Sequence, residues 1–450
     1  MKIFTQNKQF ISTALKIGIP SMVESFFVCL AGLVDSLMVS SLGAEAVAAV
    51  GITTQPKFMG LAIFFALNVS VSALVARRYG EKDRTGANGV LITSFAIMLI
   101  LAAIITTICT VFAPQIISFC GATIETHADA VLYYRIIMGG MIFNCIQMCI
   151  NSAQRGIGNT KITMWTNLVS NTVNVILNYL LIGGKFGFPA LGIRGAALAT
   201  VLGTVVSSVM SIISVSHSKC FVSFIYIIKN KIAPSFLFVK SIIKIGYGVF
   251  FEQILMRVGF MATAIMAANQ GTYAMAAHQV SMNILSLSFA FGDGLQSAAV
   301  ALVGKSLGEK NPENAKNYAK SCQFIGLIIT IIMAIFFTLS AGWMMSLFFK
   351  EAEIIEIGKK LVYMIILVVL FQIRQIIYMG CLRGAGDTLF TAVVASISTT
   401  FVRTAVSYIC GYTLGLGIIG IWLGVASDGI TKYTCSYLRF KSGKWVNIKI

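Results

Sequence analysis

Apolar residues run along this chain in long blocks, broken by short polar stretches. Blocks of this length read as membrane-spanning helices, because lipid cannot satisfy the backbone polar groups of less regular structure. Twelve spans are predicted, at about 17–39, 47–76, 90–113, 130–154, 162–184, 192–215, 242–267, 275–303, 321–346, 358–381, 389–412 and 416–438. Within the first, residues 16–35 hold two carboxylates, Glu24 and Asp35. Eleven residues at 100° each bring their side chains to within about 20° of each other around a helix. A carboxylate inside a membrane helix costs about 2.5–3.5 kcal/mol on insertion scales, so these two mark a candidate functional site.

The pattern then repeats. At a constant offset of 228, Gly18, Glu24, Gly43, Ala46, Ala49, Gly80, Glu81, Lys82, Arg155, Gly156, Gly158 and Thr160 meet identical residues. ALVARRYGEKDRTGA lies over ALVGKSLGEKNPENA, and RGIGNTK over RGAGDTL. Glu24 recurs as Glu252, whereas Asp35 becomes Thr263. Each copy carries six spans, an even number, so both enter the membrane in the same sense. The fold expected is an all-α integral membrane protein of twelve transmembrane helices, in two six-helix lobes related by a parallel internal repeat. The lobes are expected at 1–216 and 241–450. Residues 217–240 would form a basic cytoplasmic linker with a short interfacial helix around 221–231.

Composition agrees with a membrane chain: 57% of the 450 residues are hydrophobic and 11% charged. A net charge of +18 would suit nucleic acid. The basic residues, however, sit in short loops, so no nucleic-acid partner is expected. Of the 34 Lys and Arg, 24 fall on one side of the predicted membrane, including Lys219, Arg383, Lys432 and Lys449; five, including Lys350, fall on the other. Both termini are therefore expected in the cytoplasm, and no cleavable signal pattern opens the chain. The ten cysteines lie mostly inside apolar runs, which is the usage of small buried hydrophobes. Three histidines and no zinc-ligand pattern of Cys and His spacing argue against structural zinc. No GxxxxGK[ST] is present, so ATP has no P-loop here, and neither HExxH nor a Ser/His arrangement supports an intramembrane enzyme.

Polar side chains mark further candidates. Span 5 carries Asn167, Asn171, Asn174 and Asn178 on one face. The stripe reads either as hydrogen bonding between helices of one lobe or as an amide-lined site beside Asp35. Span 8 carries Gln279, Asn283, Ser286 and Asp293, with Gln55 the repeat mate of Asn283. Asp293, between Gly292 and Gly294, is expected near a helix break. Arg374, Gln372 and Gln375 cluster on span 10, and Arg403 sits on span 11 among Ser396, Thr399, Thr400 and Ser407. His278 reads as a hydrogen-bonded interior histidine or a proton carrier. Pro56 predicts a kink in span 2, and Lys57 either neutralises a carboxylate or snorkels.

Together, the doubled six-span plan, VDSLMVSSLGAEAVAAVG after span 1, AAHQVSMN in span 8, LVGKSLGEK after it, and the paired RGIGNTK and RGAGDTL turns resemble the multidrug and toxic compound extrusion (MATE) family. The likeness covers nearly the whole chain. It implies an exporter of amphipathic, often cationic compounds in exchange for Na⁺ or H⁺. In that light Asp35, Asn174 and Asn178 match the ion or proton site of one branch, though that branch usually has Asp where Asn178 stands. Glu252 matches the acid of another branch, which has Asp where Gln372 stands. Na⁺ would bind at Asp35, Asn174 and Asn178 or at Glu252.

The function expected is a cation-coupled antiporter, with Asp35, Asn174, Asn178 and Glu252 carrying the coupling ion. Glu24, Gln55, Asn171, Gln279, Asn283, Asp293 and Gln372 would line the substrate cleft. No catalytic residue or cofactor is expected beyond the coupling ion, and the partners are a small amphipathic substrate and the lipid of the cell membrane, met by a monomer. A flippase for lipid-linked precursors is the alternative of similar fold; an intramembrane enzyme is the alternative of another class.

Overall fold

The computed structural model describes residues 2–122, 124–217, 220–349 and 351–448. Lys219, Lys350 and Lys449, counted among the loop charges, lie outside the described residues. Among the described residues the chain is helical, without strands. The helices are α1 (Lys2–Ser40), α2 (Ala44–Gly80), α3 (Arg84–Val111), α4 (Ala113–Phe119), α5 (Ile124–Gly139), α6 (Met141–Gly156), α7 (Thr160–Gly183), α8 (Ile193–Val215), α9 (Phe224–Lys229), α10 (Phe236–Ala268), α11 (Thr272–Gly308), α12 (Pro312–Ser346), α13 (Ala352–Gly384), α14 (Thr388–Ile397), α15 (Arg403–Tyr408) and α16 (Gly417–Lys441). Among the described residues, eight spans are long and apolar enough to cross a membrane, one of them α14 to α15 continued through π-helical turns, and α5 with α6, bent by 43°, makes a ninth if the pair is one span. The remaining three, α7, α13 and α16, have the length but carry the amides and charges described below. With them the twelve-span plan is complete.

Two compact units form. Residues up to Ser25 pack with those from Tyr247 onward, and Phe26–Gly246 make the other unit. Helix α1 therefore contributes to both. Its 39 residues extend about 58 Å, well beyond the roughly 30 Å of bilayer hydrocarbon. Glu24 lies in the first stretch and Asp35 in the second, so the two acids of one helical face belong to different units.

The repeat is visible in local geometry. Both GEK turns place their lysine in the left-handed region, Lys82 at φ 58° and Lys310 at φ 55°. The residue that follows caps the next helix: Asp83 accepts from the Gly86 amide at 2.8 Å and Asn311 from the Asn314 amide at 3.0 Å. Gly156 and its mate Gly384 likewise do the same work. A Cβ on Gly156 would meet the Ser72 carbonyl oxygen at 2.8 Å, and one on Gly384 would meet that of Val300 at 2.6 Å. Ser72 and Val300 are themselves 228 apart.

The segment after α8 is strapped down. Arg84 donates to the carbonyls of Cys220 and Phe221, Asn88 brackets Phe221 and Ser223, and Thr93 accepts from the Ser235 amide. The expected linker helix is the single turn and a half of α9, ended by Lys231 at φ 51°. Helix α11 runs unbroken through Asp293, contrary to the expected break. Gly292 and Gly294 instead admit Ile376 and the Met22 backbone at close range. Helix α2 continues through Pro56.

Candidate functional site

Asp35, half-buried on α1, faces α7. Asn178 Nδ2 donates to Asp35 Oδ1 at 2.7 Å. With its amide nitrogen turned to the carboxylate, Asn174 donates to Oδ1 at 2.7 Å and Oδ2 at 3.3 Å, while its oxygen accepts from Thr200 Oγ1 at 3.2 Å. Both asparagines are buried. Their spacing of one helical turn delivers two amides to one carboxyl. Lys57 of α2 is the cation in electrostatic range, without a hydrogen bond to Asp35. The rest of the stripe goes elsewhere: Asn167 accepts from Gln147 at 2.7 Å, and the buried Asn171 Nδ2 meets no acceptor among the described residues.

Glu252 is also buried, but it is committed. Arg383 Nη2 lies 2.6 and 2.8 Å from its two oxygens. Sequence reading placed Arg383 among the loop charges. It belongs to the last turn of α13, with a side chain 11% exposed. The signal was present, since Glu24/Glu252 and Arg155/Arg383 are both repeated pairs. Gln372 does not join Glu252 through any hydrogen bond; both of its amide atoms are buried and unpartnered among the described residues. Glu24 is buried, whereas Gln55, Gln279, Asn283 and Asp293 are exposed, the last three along one stripe of α11.

A third ionic centre was missed. Asp428 and Lys432, both buried on α16, are four residues apart. Lys432 Nζ lies 3.0 Å from the Asp428 carboxylate and 2.6 Å from Thr399 Oγ1, and Ser398 Oγ donates to Asp428 Oδ1 at 2.7 Å. Arg403, 3% exposed, donates from Nε to Thr263 at 3.0 Å. Counted as a tail charge, Lys432 is thus an interior one; an acid and a base at i, i+4 in an apolar run were the available signal. Arg374 takes a structural role, over the Tyr433 ring at 5.0 Å and bonded to Gln323. His278 accepts from Trp422 Nε1 at 3.2 Å in the interior.

The third centre is the Asp35 site rewritten. Ser170 Oγ donates to the Gly203 carbonyl at 2.8 Å, and Ser398 Oγ, its mate at 228, to that of Asp428 at 3.0 Å. Asp428 thus stands for Gly203, and Lys432, four residues on, for Ser207. A π-helical turn over Ser398–Val402 then adds one residue, so Arg403 stands for Asn174. Asn174 meets Asp35, and Arg403 meets its mate Thr263.

Buried ionisable groups inside a duplicated bundle of apolar helices define a membrane transporter. The MatE family model matches residues 20–180 and 249–409, one match per repeat. The chain belongs to this family of efflux transporters. It is 27% identical over 431 residues to "Probable multidrug resistance protein NorM" of Thermotoga maritima, covering 96% of this chain and 92% of that one. It is 23% identical to "Uncharacterized transporter YisQ" of Bacillus subtilis, over 95% and 93% of the two chains. Among solved structures, an outward-facing MATE transporter of the MOP superfamily superposes with TM-score 0.89 at 22% identity, over 96% of each chain. A MATE described as in the bent conformation gives 0.86 at 23% identity, over 97% of this chain and 96% of that one.

Proposed function

We propose that this protein is a cation-coupled antiporter that exports amphipathic, cationic small molecules across the cell membrane, with Asp35 carrying the coupling ion. The observation behind this reading is the pair of amides aimed at one half-buried carboxyl. Two arrangements satisfy that cluster. With Asp35 ionised, Asn174 turns its nitrogen to the carboxylate. With Asp35 protonated, its carboxyl O–H donates to the Asn174 oxygen across the same 2.7 Å, and the Asn174 nitrogen donates to Thr200 Oγ1 at 3.2 Å. Thr200 can accept because it donates its own proton to the Ala196 carbonyl.

A proton fits this cluster better than Na⁺, because Asn178 presents its nitrogen to the carboxyl in both arrangements and a hard cation needs several oxygens. Glu252, neutralised by Arg383, is the poorer carrier. Loss of the Asp35 charge would change the balance between two states of the transporter, and substrate would favour the ion-free one. The exposed polar stripe of α11 (Gln279, Asn283, Asp293) is the surface that its unit offers to substrate. Both termini would lie in the cytoplasm.

The test is dye efflux in everted vesicles. Asp35→Asn should abolish efflux driven by an imposed proton gradient while leaving the protein folded. Efflux unchanged in that variant, or driven only by a Na⁺ gradient, removes this assignment.

A further inference from the structure

Arg403 has donors to spare. Its Nε is used by Thr263, the Phe260 ring lies 4.8 Å from Cζ, and Nη1 is 4.0 Å from the Asp428 carboxylate, beyond hydrogen-bond range. The four N–H groups on its two terminal nitrogens therefore meet no acceptor within hydrogen-bond distance among the described residues. Arg403 as a whole residue is only 3% exposed. Asp428 is already saturated by Lys432, Ser398 and Thr399. The cluster holds two cations and one carboxylate, so it carries one net positive charge in the interior of a membrane lobe. His278, in electrostatic range of Arg403, offers it no free acceptor, because its Nδ1 already accepts from Trp422.

A buried charge of this kind needs a counter-charge with matching hydrogen-bond acceptors. We infer that the terminal edge of Arg403 is an anion subsite, taking either the carboxylate of a zwitterionic or acidic substrate or a small free anion such as a halide. Guanidinium suits this task, because two parallel N–H groups match one carboxylate. The repeat explains the origin: the amide-and-acid site around Asp35 became, through one inserted residue and a transplanted acid, a site of opposite sign. The two halves then serve different charges, the first a coupling cation and the second an anionic group. The substrate arm of this inference rests on the export reading above; the free-anion arm does not.

The experiment uses the full chain and two rhodamines that differ only in a free carboxylate against its methyl ester. Reconstituted wild-type protein should export both dyes. Arg403→Gln should lose export of the carboxylate dye by about tenfold or more, as for a lost charge-assisted hydrogen bond, and keep that of the ester. Arg403→Lys should retain part of it. For the free-anion arm, exchange of a bulky sulfonate anion for bromide should raise the melting temperature of purified wild-type protein and leave Arg403→Gln unmoved. A carboxylate-selective loss assigns the subsite to substrate; a bromide shift assigns it to a free anion. Equal effects of Arg403→Gln on the two dyes, with no bromide shift in the wild type, overturn the inference. Should the glutamine variant fail to fold, the wild-type protein alone decides through the bromide shift and through competition of bromide against the bound carboxylate dye. Export of neither dye by the wild type defeats the export reading, and the bromide measurement still decides this one.

Discussion

At the scale of single residues, the half-buried Asp35 and the buried Glu252 and Asp428 have three different fates. Asp35 receives hydrogen bonds from neutral amides, Glu252 is closed by a guanidinium, and Asp428 is shared by an ammonium and two hydroxyls. Only the first keeps a charge state that can change without breaking an ion pair. Removing one partner of a buried pair leaves the other charge uncompensated, at about 3–5 kcal/mol, whereas removing both is far milder. Glu252→Met should therefore lower the melting temperature sharply, and Glu252→Met with Arg383→Met should recover most of the loss. A double variant as unstable as the single one would show that Glu252 is more than a structural counter-ion. The Asp35 acid was legible in the sequence because an acid in an apolar run stands out. Its partners Asn174 and Asn178 were legible as a stripe, although the same stripe also held Asn167, which the fold gives to Gln147.

Among the helices, close packing is set by glycines in register. Gly380 and Gly384 of α13 lie against Gln296 and Val300 of α11, both pairs 84 residues apart. This is the small-xxx-small contact by which membrane helices approach when lipid offers no hydrophobic drive between them. Any side chain at Gly384 meets backbone, which cannot swing aside. Gly384→Val should cost about 1–3 kcal/mol by overpacking, and Gly156→Val should cost a similar amount in the other unit. Thermal unfolding in detergent reads both; tolerance at either position would mean that the helices part more easily than this register allows. The sequence marked these glycines as repeated, yet their contacts come only from the fold. Asp293 shows the reverse: its flanking glycines suggested a break, and the helix passes straight through because both face neighbouring helices.

For the whole molecule, duplication with divergence is the governing feature. Both repeats keep the GEK turn, the RGxG turn and the glycine contact, while their buried charges differ in sign and position. The proposed cytoplasmic placement of both termini predicts that single cysteines at Lys8 and Ser442, in a chain freed of its own ten cysteines, react with a membrane-impermeant maleimide in everted vesicles and not in intact cells. Labelling of the two from opposite sides would contradict the even number of spans in each half.

Apolar block length, a constant offset of 228 and the placement of lysine and arginine set the number of spans, the parallel repeat and the expected orientation. These are properties of residues counted along a line, and lipid leaves helices few alternatives. What partnered each buried charge was decided in three dimensions. Arg383 reaches back 131 residues to Glu252, and Arg403 reaches 140 to Thr263. One added residue in a π-helical turn rotates everything after it by about 100°, and that rotation turned Arg403 into the place an asparagine holds in the first repeat.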